Sequence, residues 1–469
     1  MVPPVAPIGL DYIAPAARKA GIEVDVVDLC LADEPAKTLQ NYFAGHNPQL
    51  VGLSFRNVDD CFWPSATWFV PQLAETVHTI KNLSDAPIVL GGVGFSIFAR
   101  QIVEYTGADF GICGDGESAI VSLHNKLGRS KNFEKIDGLI WRHNGAIRSN
   151  RPAWPEPLLL SIERDAIDNL AYFEKGGQGG IETKRGCNRT CIYCADRLSK
   201  GTTLRLRNPK EVADEAQALL AQGIDVLHLC DSEFNIPRHH AYAVCEELGR
   251  HGLGKRLRWF TYMAVTPFDA ELASAMSKAG CIGIDFTGDS ACPSMLKTYG
   301  QVHLKEDLAS AVQLCRDNNI KVMFDLLLGG PGETPQTVAQ TIDFIKQICP
   351  DCAGAPLGLR IYPNTEMARI VQDEGALETN PNIRRKYAGP VDFFKPTFYI
   401  SQALGPQPAQ FVRDLIAGDN RFFEPMPETT QETSTTTDHN YNDNTALVEA
   451  IKTGARGAYW DILHQLRGN

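Results

Sequence analysis

Apolar and polar positions change period several times along the chain, and the changes mark its parts. Residues 8–20 carry apolar side chains at helical spacing, and Gly21 ends the run. Pro15 inside it either kinks this helix or marks its true start. Short apolar runs at 22–29, 50–55, 86–90 and 110–113 read as strands, with helical patterns between them. Strands alternating with helices predict a parallel sheet with right-handed crossovers, an α/β domain over residues 1–130. Ligands of such sheets gather at the carboxyl ends of the strands, here the loops at 54–57, 91–94 and 114–117. The last two are rich in glycine, which lets the backbone come close to a large flat or phosphorylated ligand.

Residues 131–175 read as a connector. A hairpin with an Asn144-Gly145 turn is expected near 138–145, and Pro152, Pro155 and Pro157 break structure after it. A second alternation then begins. Strand patterns at 181–184, 226–229, 258–262, 282–286, 322–327 and 357–361 have helical patterns between them, including one at 209–222. That count suggests an incomplete (β/α)6 barrel over residues 176–400, open on one side, with function at its strand carboxyl ends. Residues 401–469 form a small C-terminal extension. Its stretch at 424–438 is rich in Thr, Glu and Pro and reads as a flexible loop. The aromatic ending with Tyr459 and Trp460 is expected to dock on the body, either closing the barrel mouth or only burying the two rings.

Bulk properties narrow the class. A chain of 469 residues should hold two or three domains. Hydrophobic content of 43% with 22% charge is ordinary for a soluble globular protein. The net charge of -11 argues against nucleic acid as the main partner. No apolar run is long enough for a membrane span, and the N-terminus has no signal-peptide pattern, so a cytoplasmic protein is expected. Thirteen cysteines, an odd number scattered among apolar segments, fit a reduced compartment rather than a disulfide framework. Cys349 and Cys352 form a second C-x2-C, which reads as two cysteines at a helix end.

The chemistry centres on Cys187, Cys191 and Cys194, spaced C-x3-C-x2-C on one short loop. Three thiolates facing one point can hold a [4Fe-4S] cluster and leave one iron without a protein ligand, free to chelate a small molecule. The competing readings are incidental cysteines or a zinc loop, which would usually add a second cysteine pair. The three-cysteine spacing, with the aromatic Tyr193 between the last two, resembles the radical SAM superfamily. In that superfamily the open iron binds S-adenosyl-L-methionine (SAM). Downstream, Cys230-Asp231-Ser232-Glu233, Gly288-Asp289-Ser290 and Gly329-Gly330-Pro331-Gly332-Glu333-Thr334 are similar to further segments of it. The resemblance implies SAM contacts at Tyr193, Ser232, Glu233, Asp289, Ser290 and Arg360.

Pro7-Ile8-Gly9-Leu10, Gly91-Gly92 and Gly114-Asp115-Gly116-Glu117, ahead of such a core, resemble the cobalamin-dependent radical SAM family. The resemblance implies a Rossmann-like cobalamin-binding domain with contacts at Ser54, Arg56, Gly91, Gly92, Gly114 and Glu117. The sequence departs from the family's usual pattern in opening almost at the first helix, without a preceding strand. It also lacks an Asp-x-His-x-x-Gly loop, so the lower face of cobalt is not expected to take histidine, and Arg56 is the candidate there. Three cofactors follow: a [4Fe-4S] cluster, SAM and cobalamin. The expected partners are a small organic substrate and an electron donor such as flavodoxin or ferredoxin. The resemblance implies a methyltransferase acting on an unactivated carbon. Its alternatives are a cyclase or rearrangement enzyme without methyl transfer and a non-catalytic corrinoid- or redox-responsive binding protein.

Overall fold

A computed structural model describes residues 2–127, 132–427 and 440–467. Most of the loop expected at 424–438 therefore lies outside the described residues. Two sheets organise the chain. The first holds β1 (Val51–Ser54), β2 (Ile88–Gly91) and β3 (Phe110–Ile112), paired in parallel in that order. The hairpin β4 (Leu139–His143) and β5 (Ala146–Ser149) continues it antiparallel, with Phe110 opposite Trp141. The expected connector hairpin thus belongs to the N-terminal sheet. Residues 22–29 form no strand, contrary to their apolar pattern. Asp28 accepts the backbone N–H groups of Cys30 and Leu31 and the Tyr172 hydroxyl, which turns this segment away from the sheet and leaves β1 at its edge.

The second sheet runs β6 (Gly179–Ile181), β7 (Val226–Leu229), β8 (Arg258–Ala264), β9 (Cys281–Asp289), β10 (Lys321–Leu326), β11 (Cys352–Gly354) and β12 (Phe422–Phe423), all parallel. This is the expected open barrel with two corrections. Its sixth strand is β11, not 357–361. Cys-Ala-Gly is too short to read as a strand, yet Asp351 accepts the Val322 N–H and starts the pairing. Leu359–Arg360 instead pairs antiparallel with Thr397–Tyr399, in a small sheet beside the N-terminal domain. The second correction is β12, a strand supplied by the C-terminal extension.

Strand alternation decides what the barrel encloses. On β9, Ile284 and Phe286 face the surrounding helices, where Phe286 meets Phe268 and Phe324. Gly283, Asp285, Thr287 and Asp289 face the interior. A side chain at Gly283 would collide with Phe260 and Trp460, so the barrel floor requires glycine there. Trp460, on helix Tyr459–Arg467, stands edge-on to Phe260 and plugs the floor. Helix Thr445–Lys452 packs on helix Asn169–Gly176, which leads into β6. Gly177 touches Ile451 and accepts the N–H of Gly457. The extension therefore closes the open flank and the floor of the barrel, rather than its mouth.

Buried ions join the two domains. On helix Ile8–Lys19, Asp11 meets Arg164 at 2.6 Å, and Arg164 also holds Glu215 of the barrel at 2.8 Å, with all three side chains fully buried. Pro15 lies buried inside this helix without ending it.

Candidate active site

The cysteine loop leaves the barrel just after β6. Lys184–Arg185 pairs with Arg205–Leu206, and Gly186 then turns with φ +91, where any side chain would strike the Thr203 carbonyl. The loop is fixed from three sides. Cys187 N–H donates to Gly201 O at 3.1 Å, Ile192 N–H to Tyr299 O at 3.2 Å, and Met367 N–H to Ile192 O at 2.9 Å. All three cysteines are free thiols, Cys187 buried and the other two half-buried. Asp196 N–H donates to Cys194 Sγ at 3.5 Å, and the Gln301 amide to Cys191 Sγ at 3.4 Å. Burial pushes all three thiols up, Cys191 to about 12, so cluster assembly must displace their protons. Among the described residues no three His, Cys, Asp or Glu side chains converge as a site for one ion. A cubane cluster spreads its sulfurs wider than a single ion does. Three free cysteines on one braced loop, with N–H donors to two sulfurs, fit that group.

Beside the loop, the Tyr193 hydroxyl lies 2.7 and 2.9 Å from the two carboxylate oxygens of Asp289. Gln301 also donates to Asp289, so one belt links Asp289, Tyr193 and Cys191. Asp289 is buried at φ +54, and burial holds its carboxyl up at about 7. Glu233 accepts from the Thr287 hydroxyl at 2.9 Å, while its Oε2 is enclosed and has no partner among the described residues. Burial raises its carboxyl to about 7, and its charge acts on Cys187 and Cys191. It is a buried acceptor close enough to the cysteines for its charge to act on two of them. Lys184 is buried nearby and its charge partly offsets both Glu233 and Asp196.

Three expected contacts take other positions. Ser232 donates to Asp196, which also pairs with Lys200 at 3.1 Å, so Ser232 braces the residues after Cys194. Ser290 is fully buried, bonded to the Thr341 hydroxyl and accepting the Cys292 N–H, which anchors the loop instead of facing the cavity. Arg360 is buried against Asp59 of the N-terminal domain at 2.9 Å, with its guanidinium over the Phe98 and Tyr362 rings. It bolts the domains together and is not free to take a SAM carboxylate. Cys349 is exposed and Cys352 is buried at the start of β11, so the second C-x2-C forms no joint site.

Across the gap lie the glycine loops. Gly92 sits at φ +108, and a Cβ there would come within 2.6 Å of Phe55 O; one at Gly94 would meet Arg56 O at 2.6 Å. Loop 92–94 can therefore lie flat against the backbone of 55–57. A Cβ at Gly91 would meet Ile112 O at 3.9 Å, an ordinary contact, and Ser54 is exposed at the end of β1. Arg56 is exposed, and its charge reaches His228, Cys230, Tyr262 and Tyr459 on the barrel side. The third loop is partly committed elsewhere. Glu117 bonds Arg185 at 2.8 Å, and Asp115 bonds Arg185 and Arg205. Gly114, at φ +89, makes room for the Trp154 ring, which also presses on Gly201 and lies under the Arg205 guanidinium. Glu117 thus latches this loop to the arginine two residues before Cys187.

Between the glycine loops and the cysteine loop lies a chamber. Tyr262 on β8 is 43% exposed to it, and the His228 ring lies 4.7 Å from the Tyr262 ring. Burial lowers His228 to about 4, so its imidazole is neutral. Gln301, His228, Tyr262, Trp154 and Asp285 were not singled out from the sequence. Only Asp285 carries a readable signal, an acid within the apolar run Ile282-Gly283-Ile284-Asp285-Phe286.

Residues 3–124 match the B12 binding domain family, and residues 181–345 the radical SAM superfamily. The chain is 29% identical to tryptophan 2-C-methyltransferase of Streptomyces laurentii, over 98% of this chain and 93% of that one. It is similar to the solved radical S-adenosylmethionine methyltransferase TsrM from Kitasatospora setae, with tryptophan and the SAM analogue aza-SAM bound. That match has a TM-score of 0.91 at 31% identity and covers 99% of this chain and 96% of that one. The same protein solved with cobalamin and a [4Fe-4S] cluster gives 0.88 at 29%. The anaerobic magnesium-protoporphyrin IX monomethyl ester cyclase of Cereibacter sphaeroides is 28% identical over 66% of this chain and 53% of its own.

Proposed function

The chain belongs to the cobalamin-dependent radical SAM methyltransferases, and from that premise we propose that it methylates a ring carbon of tryptophan or a similar indole-bearing amine. One observation carries the choice. The likeness to the tryptophan-methylating proteins runs end to end and so includes the C-terminal helices that close the chamber. The likeness to the cyclase covers only about half of that protein, which favours methyl transfer over cyclisation. The full-length match to methyltransferases likewise sets aside a non-catalytic corrinoid-binding role.

Bound cobalamin would serve as the methyl carrier, SAM would be the source of the methyl group, and the cluster would relay electrons from an external donor. The chain's own residues hold and orient. Cys187, Cys191 and Cys194 are the cluster ligands. The Tyr193–Asp289–Gln301 belt fixes the shape of their loop, and Glu233 Oε2 is the acceptor we assign to the SAM ammonium. Gly92 and Gly94 flatten the side on which cobalamin would lie, and the exposed Arg56 beside them would contact it there. The closed flank and the Trp460 floor keep water from the chamber. The electron donor we propose is a flavodoxin or ferredoxin. We also propose a cytoplasmic location; no helix among the described residues is long and apolar enough to cross a membrane.

The test is anaerobic reconstitution with iron, sulfide and hydroxocobalamin, followed by incubation with SAM, a reductant and L-tryptophan. Methylated tryptophan with S-adenosylhomocysteine is the expected result. Bound cobalamin with no methylated product from any indole amine would overturn the substrate assignment. A product that has lost hydrogens without gaining a methyl would favour the cyclase chemistry instead.

A further inference from the structure

Halfway down the barrel, three strands present polar side chains to the interior. Tyr262 on β8 stands in register with Asp285 on β9, and Thr287 on β9 with Asp325 on β10. Below them the interior is apolar, with Phe260, Met323 and Trp460. Above them is Glu233, which accepts from the Thr287 hydroxyl, then the cysteine loop. Asp285 is therefore the deepest carboxylate of the chamber on its strand. It is 5% exposed, and its Oδ1 is enclosed with no hydrogen-bond partner among the described residues. No ion pair among the described residues involves it. Burial, then Asp325 and Glu233, pushes its carboxyl well above the usual range. The phenols of Tyr262 and Tyr441 are close enough to feel both aspartates.

An uncompensated carboxylate inside a barrel costs folding energy, and an apolar residue of similar size would be more stable there. Among the described residues no cation is paired with Asp285, and the site is reached past the exposed face of Tyr262. A ligand cation satisfies all of these features. We propose that Asp285, with Asp325 beside it, is the binding site for the primary ammonium group of the substrate. A neutral ring N–H would offer one donor to two carboxylates, whereas an ammonium offers three donors and a charge. The flanking rings of Tyr262 and Tyr441 add faces that attract a cation. This inference rests on the proposed reading of a small amine substrate and names the atoms that hold it.

The test is equilibrium binding to the reconstituted holoenzyme, using L-tryptophan, tryptamine and indole-3-propionate, which lacks the amine. Wild type should bind the two amines at least tenfold more tightly than the des-amino acid. Asp285→Asn should weaken the amines by roughly 10- to 100-fold, the usual loss for a hydrogen bond to a charged group. It should leave indole-3-propionate unchanged. Its melting temperature should stay level or rise, because a buried carboxyl with an unpartnered oxygen has been replaced by a neutral amide; a merely structural aspartate would lower it. Equal binding of tryptophan and indole-3-propionate, or full tryptophan affinity in D285N, would overturn the assignment.

If wild type binds no indole, the same comparison is made by thermal shift with the other amino acids and their des-amino counterparts. An amine that stabilises wild type but not D285N supports the ammonium site and overturns the indole reading alone. No stabilising amine at all overturns the ammonium site.

Discussion

Replacing Arg164 by methionine tests how the two domains are held together. Arg164 donates to Asp11 at 2.6 Å, Glu215 at 2.8 Å, Gly180 O at 2.9 Å and Asn169 Oδ1 at 3.1 Å, and its side chain is fully buried. Its loss does not strand both acids equally. Glu215 keeps Arg207 and the Tyr12 hydroxyl. Among the described residues Asp11 keeps two neutral donors, the Asn169 amide and the Ala166 N–H. Removing one partner of a buried pair costs about 3–5 kcal/mol, and the remaining partners place this case near 3. With a urea m-value of about 3 kcal/mol/M, the midpoint should fall by about 1 M. The assay is urea unfolding followed by tryptophan fluorescence, with limited proteolysis of the N-terminal domain in parallel. Adding Asp11→Asn should recover about half of the loss, because it removes the stranded charge. A midpoint within about 0.2 M of wild type, or no recovery in the double variant, would refute the domain-joining role.

Other perturbations follow from the geometry. Cys191→Ser should lose most of the bound iron and all SAM cleavage while keeping cobalamin, read by metal analysis and product chromatography. Gly92→Ala places a Cβ against Phe55 O at a positive φ; it should cost about 1–3 kcal/mol and lower cobalamin retention on gel filtration at least tenfold. Glu333 is buried, and burial raises its carboxyl from 4.5 to about 7. The unfolded chain gives up this proton first, so wild-type stability falls as pH rises from about 4.5 through 7. Glu333→Gln should flatten that fall by up to about 3 kcal/mol, seen in unfolding midpoints across the range. Parallel curves for the two proteins would sink the prediction.

The cysteine spacing, the glycine loops and five of the six expected barrel strands could be read from the sequence because each is local. A period of two or a fixed interval carries them. What the sequence hid is set by contacts far along the chain. Arg360 looked like a carboxylate ligand at a strand end, but its partner Asp59 lies 301 residues away. The apolar run 22–29 has strand propensity, but Asp28 and Tyr172 draw it out of the sheet. Glu117 stands in the expected loop, and only the fold reveals that Arg185 takes its carboxylate. Asp285 was visible as an acid in an apolar strand, but its significance depends on a chamber assembled from both domains and the extension.

The seam between helices Asn169–Gly176 and Thr445–Lys452 joins segments at opposite ends of the barrel's sequence. Contacts of such separation carry a large loop-closure cost, so they are expected to form late. Until then the barrel is a curved open sheet whose inner face is reachable from the side. The order of assembly thereby sets a loading window: bulky cofactors can enter laterally before the seam zips and leave much more slowly afterwards. Loosening the seam should therefore speed cofactor exchange without touching a single cofactor ligand.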